Sequence, residues 1–307
     1  MDRFESMSLL LKVAETGSLS AASRELDIPL ATVSRHLSDL EARIGAQILL
    51  RSSRRTTLTA AGVAYVASVR RILEQLKEAE LTAAGAYSEP KGSLFITAPI
   101  VLGRTHMTPL IAEFLHVYPQ IDIRMHLSDQ LLPLVEKQID LAVRIGPLPD
   151  SGLIATEVGA VRRVTCASPA YLTRRGTPQT PGDLISHDCV TFDNIAGAEA
   201  WRFQEGADSR AVPVHSRLVV NTAEAALRAA EDGVGLTRLL SYQVFEAVQQ
   251  GRLSTVLSSF ELPPWPVHLV YLGQQLLPRK LVAFLDFSLP RLRARFAMEG
   301  SLFDAFQ

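Results

Sequence analysis

The sequence predicts an α/β protein that carries a small helical unit at its N-terminus, and three observations carry that prediction. Up to about residue 83 the apolar residues recur in steps of three and four, the spacing of buried helix faces. From Ser93 onward strand-like apolar runs alternate with helical ones in the order βαβαβ, which calls for a parallel sheet with crossover helices. Between these regions lies "AYSEPKGS", where Pro and Gly punctuate the chain as a hinge. A chain of 307 residues is long enough for two or three compact units.

In the first region Phe4, Leu9, Leu10 and Val13 place a helix, and Gly17 ends it. Ser18 or Ser20 can cap a second helix, in which Ala21, Ala22 and Leu26 make an inner face that lets another helix cross closely. After the tight turn "DIP", Pro29 suits the first turn of a third helix, where a missing N–H costs little. Val33, Leu37, Leu40 and Ile44 share one face of that helix and are expected to be buried, leaving Thr32, Ser34, Arg35, His36 and Asp39 outside the stripe. Two helices joined by a short turn, the second with hydroxyls and an Arg on its exposed N-terminal half, suit insertion into a DNA major groove. Thr and Ser reach base edges or phosphates there, and Arg can bond guanine in two places. The net charge of −1 provides no overall pull toward a polyanion, so a nucleic-acid contact has to come from a local patch.

Such a patch follows the third helix. From Arg43 to Thr57 stand Arg43, Arg51, Arg54 and Arg55 with no acid between them. "RSSRRTTLT" reads as a hairpin wing whose arginines straddle phosphates and position the protein, while the third helix supplies sequence choice. The candidate DNA contacts are Thr32, Ser34, Arg35 and His36 on the helix, with Ser18, Ser20, Arg51, Arg54 and Arg55 on the backbone. A three-helix bundle with an incidental basic loop would show the same pattern.

The segment resembles the winged helix-turn-helix of LysR-type transcriptional regulators through Phe4, Val13, "GSLSAA", Leu26, "VSRHL", "LE", "IG" and "LTAAG", and the resemblance runs along nearly the whole chain. Two positions depart from the common pattern. Leu30 stands where many members carry a DNA-contacting Gln, and Leu49 where a Phe is usual. In the next stretch Val69, Ile72, Leu76, Ala79 and Ala83 form a seam that suits either a partner helix or the helix's own domain. The resemblance implies the former: a linker helix over residues 61–88 that forms an antiparallel homodimer, with paired α/β domains completing a homotetramer. It also implies a winged helix-turn-helix over 1–60 and a two-lobed, periplasmic-binding-protein-like effector domain over 92–300. Lobe 1 would span about 92–161 and 266–300, and lobe 2 about 162–265.

The α/β region bears that division in its pattern. Strands "SLFITAP", "IDIRMHLS" and "DLAVRIG" alternate with helices "THMTPLIAEFLHVYP" and "LLPLVEKQI". A second set has strands near "VTCAS", "CVTF", "AWRFQ" and "VHSRLVVN", with helices near "TAEAALRAAEDG" and "LLSYQVFEAVQQG"; "PVHLVYL" and a closing helix then return to the first sheet. Two lobes joined by two crossing strands enclose a cleft for a small ligand, and in such sheets ligands lie beyond the carboxyl ends of the strands. That rule selects Pro99, Ile100, Val101, Ser128, Asp129 and Arg144 in the first lobe. In the second it selects Phe192, Asp193, Asn194 and Trp201, with Asn221, Thr222, Thr237 and Arg238 nearer the crossing. Arg144 and Arg238 suit an organic acid; Asp129, Asn194 and Trp201 suit a sugar or polyol.

Several classes drop out. There is no G-x-S-x-G elbow, P-loop or H-E-x-x-H, and the seven histidines are scattered, so no enzyme chemistry, metal site or cofactor is expected. No apolar run spans a membrane and "MDRFESM" lacks a signal-peptide core, so a cytoplasmic protein is expected and an exported solute-binding protein is not. Cys166 and Cys189 leave open a redox-sensing pair, although their apolar, strand-like surroundings suit buried thiols. The expected partners are double-stranded promoter DNA and a small-molecule effector.

Overall fold

Capping chemistry sets the first helices of the computed structural model, which describes residues 2–51, 56–83, 89–192, 200–273 and 277–304. Helix α1 (Arg3–Thr16) starts in a capping box, in which the Glu5 N–H donates to the Asp2 carboxylate and the Asp2 N–H to that of Glu5. It stops at Gly17, which takes the left-handed conformation (φ 63°) that closes helices. Ser18 caps α2 (Leu19–Leu26) by accepting from the Ala21 N–H at 3.3 Å, and Pro29 leads into α3 (Leu30–Ile44). Two short strands, β1 (Leu49–Arg51) and β2 (Thr56–Leu58), pair antiparallel, and α4 (Ala60–Ala83) follows.

Contacts divide the chain into Met1–Glu89 and Pro90–Gln307. The core of the first unit is built by Leu9, Leu10, Val13, Ala22, Val33, Leu37, Leu40, Ile48, Leu49 and Val66. Ile44 and Leu26, expected inside, are 36% and 37% exposed. Each lies at the C-terminal end of its helix, where the chain turns away before a neighbour can cover it. The expected dimer seam needs a correction as well. Val69 is fully buried, whereas Ile72 and Val63 are 42% and 56% exposed. The helix thus spends Val66 and Val69 within its own unit. Farther along, Leu76 is half-buried and Ala79 exposed, so Ile72, Leu76 and Ala79 of the seam remain outward among the described residues and only Val69 is spent inside.

Two contacts hold the hairpin in place. The Glu41 carboxylate accepts the N–H groups of Ile48 and Leu49 at 2.8 and 2.9 Å, which ties α3 to β1. Thr59 donates its hydroxyl to the Gln47 carbonyl and accepts the Gly62 N–H, capping α4. At Gly62 a Cβ would stand 2.1 Å from the Ile48 carbonyl oxygen, so α4 and β1 approach as only glycine allows.

The second unit is built on two five-stranded sheets. The first contains β3 (Gly92–Ala98), β4 (Ile121–Leu127), β5 (Leu141–Ile145), β6 (Leu153–Val161) and β14 (Trp265–Leu272), in the order β4-β3-β5-β14-β6. β4, β3 and β5 run parallel, β14 lies antiparallel to β5, and β6 lies antiparallel to β14. α5 (Ile100–Leu102), a π-helical turn at Gly103–Met107 and α6 (Thr108–Val117) join β3 to β4. Between β4 and β5 the expected helix shrinks to one turn, α7 (Leu134–Lys137), because Pro133 starts it and Gln138 turns left-handed straight after it.

The second sheet has the order β11-β8-β12-β7-β13, from β7 (Arg163–Ala167), β8 (Asp188–Phe192), β11 (His215–Val220), β12 (Leu236–Leu240) and β13 (Ser254–Val256). One face packs α9 (Ala223–Glu231) and α10 (Ser241–Gln249); the other carries α8 (Pro169–Arg175) and a hairpin. That hairpin, β9 (Ala200–Glu205) with β10 (Asp208–Pro213), corrects the placing of "AWRFQ" in the sheet: its strand pairs with β10 instead. The closing helix α11 (Arg279–Asp304) lies against β6 and β3 of the first sheet.

The chain changes sheets between Val161 and Arg163 and again between Phe260 and Trp265. The two crossings are tied by Arg162, whose Nε lies 2.7 Å from Glu261 Oε2, with both side chains mostly buried. The Arg162 N–H also donates to Ser241 Oγ, and the Ser241 N–H returns a bond to the Arg162 carbonyl.

Cys166 and Cys189 are both fully buried. They sit on β7 and β8, which flank β12, so two inter-strand spacings of about 4.8 Å separate them, and they face different cores. A disulfide needs Cα atoms within about 7 Å. Burial pushes both thiols up to about 12, so almost none is thiolate at neutral pH. A thiol reagent at pH 8 should therefore label neither cysteine in the native chain and both after unfolding; peroxide treatment should leave the native chain free of an internal disulfide. Separately, Gly62→Ala should destabilise the N-terminal unit by about 1–3 kcal/mol, since backbone rather than a movable side chain blocks the methyl, as read by thermal unfolding.

Candidate nucleic-acid interface and ligand cleft

The N-terminal half of α3 presents Leu30, Ala31 and Arg35 to solvent, with Thr32, Ser34 and His36 half-buried beside them. Among the described residues no ion pair joins Arg35 to Asp39, so the guanidinium stays on the open face of the helix. Ser20 is exposed on the first turn of α2, whereas the Ser18 hydroxyl is engaged as that helix's cap. Arg51 is the last residue of β1, paired with Thr56, and so stands where the hairpin opens into its tip. Arg54 and Arg55 lie outside the described residues. At the start of β2 the Thr56 N–H donates to the Gly17 carbonyl at 3.0 Å, which ties the hairpin to the end of α1.

In the second unit a cavity of about 220 Å³ opens between the two sheets. Pro99, Ser128, Asp129 and Arg144 contribute to its wall from the first sheet and Phe192 from the second, as the strand-end rule predicts. Arg144 donates an Nη2 bond to the Leu132 carbonyl at 3.1 Å, and burial lowers its pKa. Asp129 accepts the Ile100 N–H at 3.1 Å and thereby places its carboxylate on the first free N–H of the helix after β3. The Ser128 hydroxyl accepts the Gln130 N–H. The cavity thus pairs one acid and one base with hydroxyls, amides and aromatic rings.

The remaining predicted positions are elsewhere. Ile100 meets the site only through its N–H, and Val101 points into the core. Trp201 is buried under the hairpin with Phe203 and Tyr171, because its strand left the sheet. Thr222 caps α9, and Asn221 beside it is absent from the cavity wall. Thr237 is fully buried and donates to the Val190 carbonyl; Arg238 lies over the Phe203 ring at 4.6 Å. Asp193 and Asn194 lie outside the described residues.

The wall also includes residues that were not anticipated: Thr97, Gln130, Leu131 and Leu132, then Leu240, Tyr242, Gln243 and Trp265. β12 runs on to Leu240, so its carboxyl end falls at "LLSYQ" rather than at Thr237–Arg238; a longer strand assignment would have found Tyr242 and Gln243. Burial, with the Asp129 charge second, raises the Tyr242 pKa, which keeps a neutral phenol at the cavity. Trp265 begins an antiparallel strand, so its amino end rather than its carboxyl end meets the cleft, and no strand-end rule could point to it.

Comparison with known proteins joins the two halves of this description. Residues 4–63 match the family described as "Bacterial regulatory helix-turn-helix protein, lysR family", and residues 88–293 match the "LysR substrate binding domain". An HTH-type transcriptional regulator of Xanthomonas campestris pv. campestris (strain 8004) is 37% identical over 92% of this chain and 84% of that protein. The HTH-type transcriptional regulator PtxR of Pseudomonas aeruginosa is 32% identical over 89% of this chain and 88% of its own length. Among solved structures, CrgA, a LysR-type transcriptional regulator from Neisseria meningitidis, matches with a TM-score of 0.61 at 28% identity, covering 94% of this chain and 98% of that chain. With a helix-turn-helix and a substrate-binding domain in one polypeptide, and whole-length relatives that regulate transcription, the chain belongs to the LysR-type transcriptional regulators.

Proposed function

We propose that the protein binds a promoter duplex through α3 and the hairpin, as a dimer formed along α4, and that a small molecule held between the two sheets of the second unit controls that binding. The observation that carries this reading is the exposed guanidinium of Arg35, without an ion-pair partner among the described residues, on the face of α3 that packing leaves free. Thr32, Ser34, Arg35 and His36 read bases; Ser18, Ser20, Arg51, Arg54 and Arg55 hold phosphates. The division into a DNA-binding unit at 1–60, a linker at 61–88 and two lobes joined at the Arg162 and Glu261 crossings belongs to the same reading. Among the described residues no helix is long and apolar enough to cross a membrane.

For the effector, the geometry supports a hydroxyl-rich small molecule, such as a sugar or polyol, over a simple organic acid. A helix N-terminus is the usual seat of a ligand carboxylate, and here Asp129 already fills it. A second carboxylate beside it would be repelled. Hydroxyl groups can instead bond Asp129, Arg144 and Gln243 while the ring face rests on Trp265. The effector acts by binding one arrangement of the lobes better than another, since equal affinity shifts nothing.

Three measurements test the scheme. Arg35→Ala should cost about 1–3 kcal/mol on the cognate site and flatten sequence preference, whereas Arg54→Ala should weaken all duplexes alike and reduce the salt slope by about one contact. An unchanged slope would remove the hairpin from the interface. Leu76→Glu should convert the dimer to monomer in sedimentation at micromolar concentration; a wild-type monomer there would refute the α4 dimer. In calorimetry with an inducing polyol, Arg144→Ala and Asp129→Asn should each weaken binding by at least about tenfold, the value of a charged hydrogen bond of about 1.5–3 kcal/mol. Unchanged affinity in both variants would place the effector elsewhere.

A further inference from the structure

Behind the cleft wall the second sheet carries a polar cluster that the proposed function does not use. Arg238 on β12 and Thr165 on β7 are direct cross-strand neighbours, and Arg163 stands two residues before Thr165, so all three side chains share one face of the sheet. Arg238 Nε and Nη2, Arg163 Nε and the Thr165 hydroxyl are all closed off from solvent and, among the described residues, make no hydrogen bond. Buried donors are nearly always satisfied, and leaving one without a partner is costly. Four in one cluster therefore mark a missing partner.

The chemistry of that partner follows from the donors. Nε and Nη2 form the edge of a guanidinium that grips a planar carboxylate with two parallel bonds. The ring of Phe203, 4.6 Å from the Arg238 guanidinium carbon, backs its plane and leaves that edge as the polar contact. The charge balance points the same way. Glu261 is the one carboxylate whose field acts on both Arg163 and Arg238 among the described residues, and its Oε2 is held at 2.7 Å by Arg162. Among the described residues, Arg163 and Arg238 thus answer to a single acid that Arg162 also binds. Burial first, and repulsion from Arg163 second, lower the Arg238 pKa to about 10, the direction expected of a cation without its counter-ion.

We propose that Arg238, Arg163 and Thr165 form an anion subsite in the second sheet that takes a carboxylate, separate from the polyol-type site in the cleft. Arg238 binds it through the Nε/Nη2 edge, Arg163 adds charge and Thr165 donates its hydroxyl. The entrance lies on the cleft side. Trp265 lines the cavity and covers Arg163 at 4.2 Å, and Leu240, two residues beyond Arg238 on the same strand, lines it too. A turn of the Trp265 side chain opens the cluster to the cleft. Because the subsite adjoins the crossings at Arg162 and Glu261, its occupancy would stiffen the joint between the sheets.

The test uses the full-length chain, thermal unfolding and tryptophan fluorescence. Sodium acetate, benzoate and sulfate are each titrated against sodium chloride at equal ionic strength. Acetate and benzoate should raise the unfolding midpoint and change the fluorescence saturably, with chloride inert. Arg238→Met should weaken that response by at least tenfold. Arg238→Lys, which keeps the charge but loses the two-bond edge, should weaken it nearly as much, and Thr165→Val by a smaller factor. Arg144→Ala should leave it intact, which separates this subsite from the cleft. Without added anion, Arg238→Met should unfold no lower than wild type, since it removes a buried charge that only the shared field of Glu261 offsets. A response to sulfate alone would overturn the carboxylate assignment. A response no larger than that to chloride, a response retained by Arg238→Met, or an Arg238→Met chain that unfolds well below wild type would overturn the subsite itself.

Discussion

The second unit depends on one ion pair, Arg162 with Glu261, because it binds together the two places where the chain leaves one sheet for the other. A cleft between two sheets can hold a ligand only if its walls keep a defined spacing while remaining able to rock. Arg162 serves both needs. Its side chain fixes the returning strand, and its backbone exchanges two hydrogen bonds with Ser241 at the head of α10. Tyr242 and Gln243, the next residues of that helix, are thereby set at the cavity. Buried pairs of this kind add little net stability over an apolar substitute, but losing one partner costs about 3–5 kcal/mol. Their value here is geometric.

The first unit has a different governing constraint, the closeness of α4 to β1. Gly62 lets the helix approach the Ile48 carbonyl, Thr59 caps the helix from the same turn, and Glu41 reaches from α3 to hold the strand's N–H groups. These short contacts orient the hairpin relative to α3. That relation matters for a DNA reader, since phosphate contacts from the hairpin set the register in which the helix meets the bases. It also gives "LE" and "LTAAG" a structural role beside α3, since Glu41, Thr59 and Gly62 bracket the hairpin.

Electrostatics divide the second unit into two chemically distinct places. In the cleft the protein supplies its own carboxylate, Asp129, to the helix N-terminus and leaves Arg144 opposite hydroxyls and rings. Behind the wall Arg238 and Arg163 lie together on one face of the sheet, with Glu261 the acid whose field reaches both among the described residues. The proposed polyol and carboxylate sites rest on this difference.

Local physics made much of this legible in the chain alone. Helix caps, the Gly17 stop, the exposed face of α3 and the βαβαβ order depend on neighbours a few residues apart, so periodicity and capping residues reveal them, and the rule of strand carboxyl ends selected Pro99, Ser128, Asp129, Arg144 and Phe192, which line the cavity. Tertiary structure decided what depends on distant partners. Val69 turned inward because the rest of its own unit was there to cover it; Trp201 left the cleft because β9 paired with β10 rather than with the sheet; and Trp265 entered the cleft on a strand running the opposite way. The sequence by itself thus determined which elements form and which family they compose. Only the tertiary structure decided which side chains meet, because strand order and the path of the crossings bring together residues as far apart as Arg162 and Glu261, and no local spacing encodes that pairing.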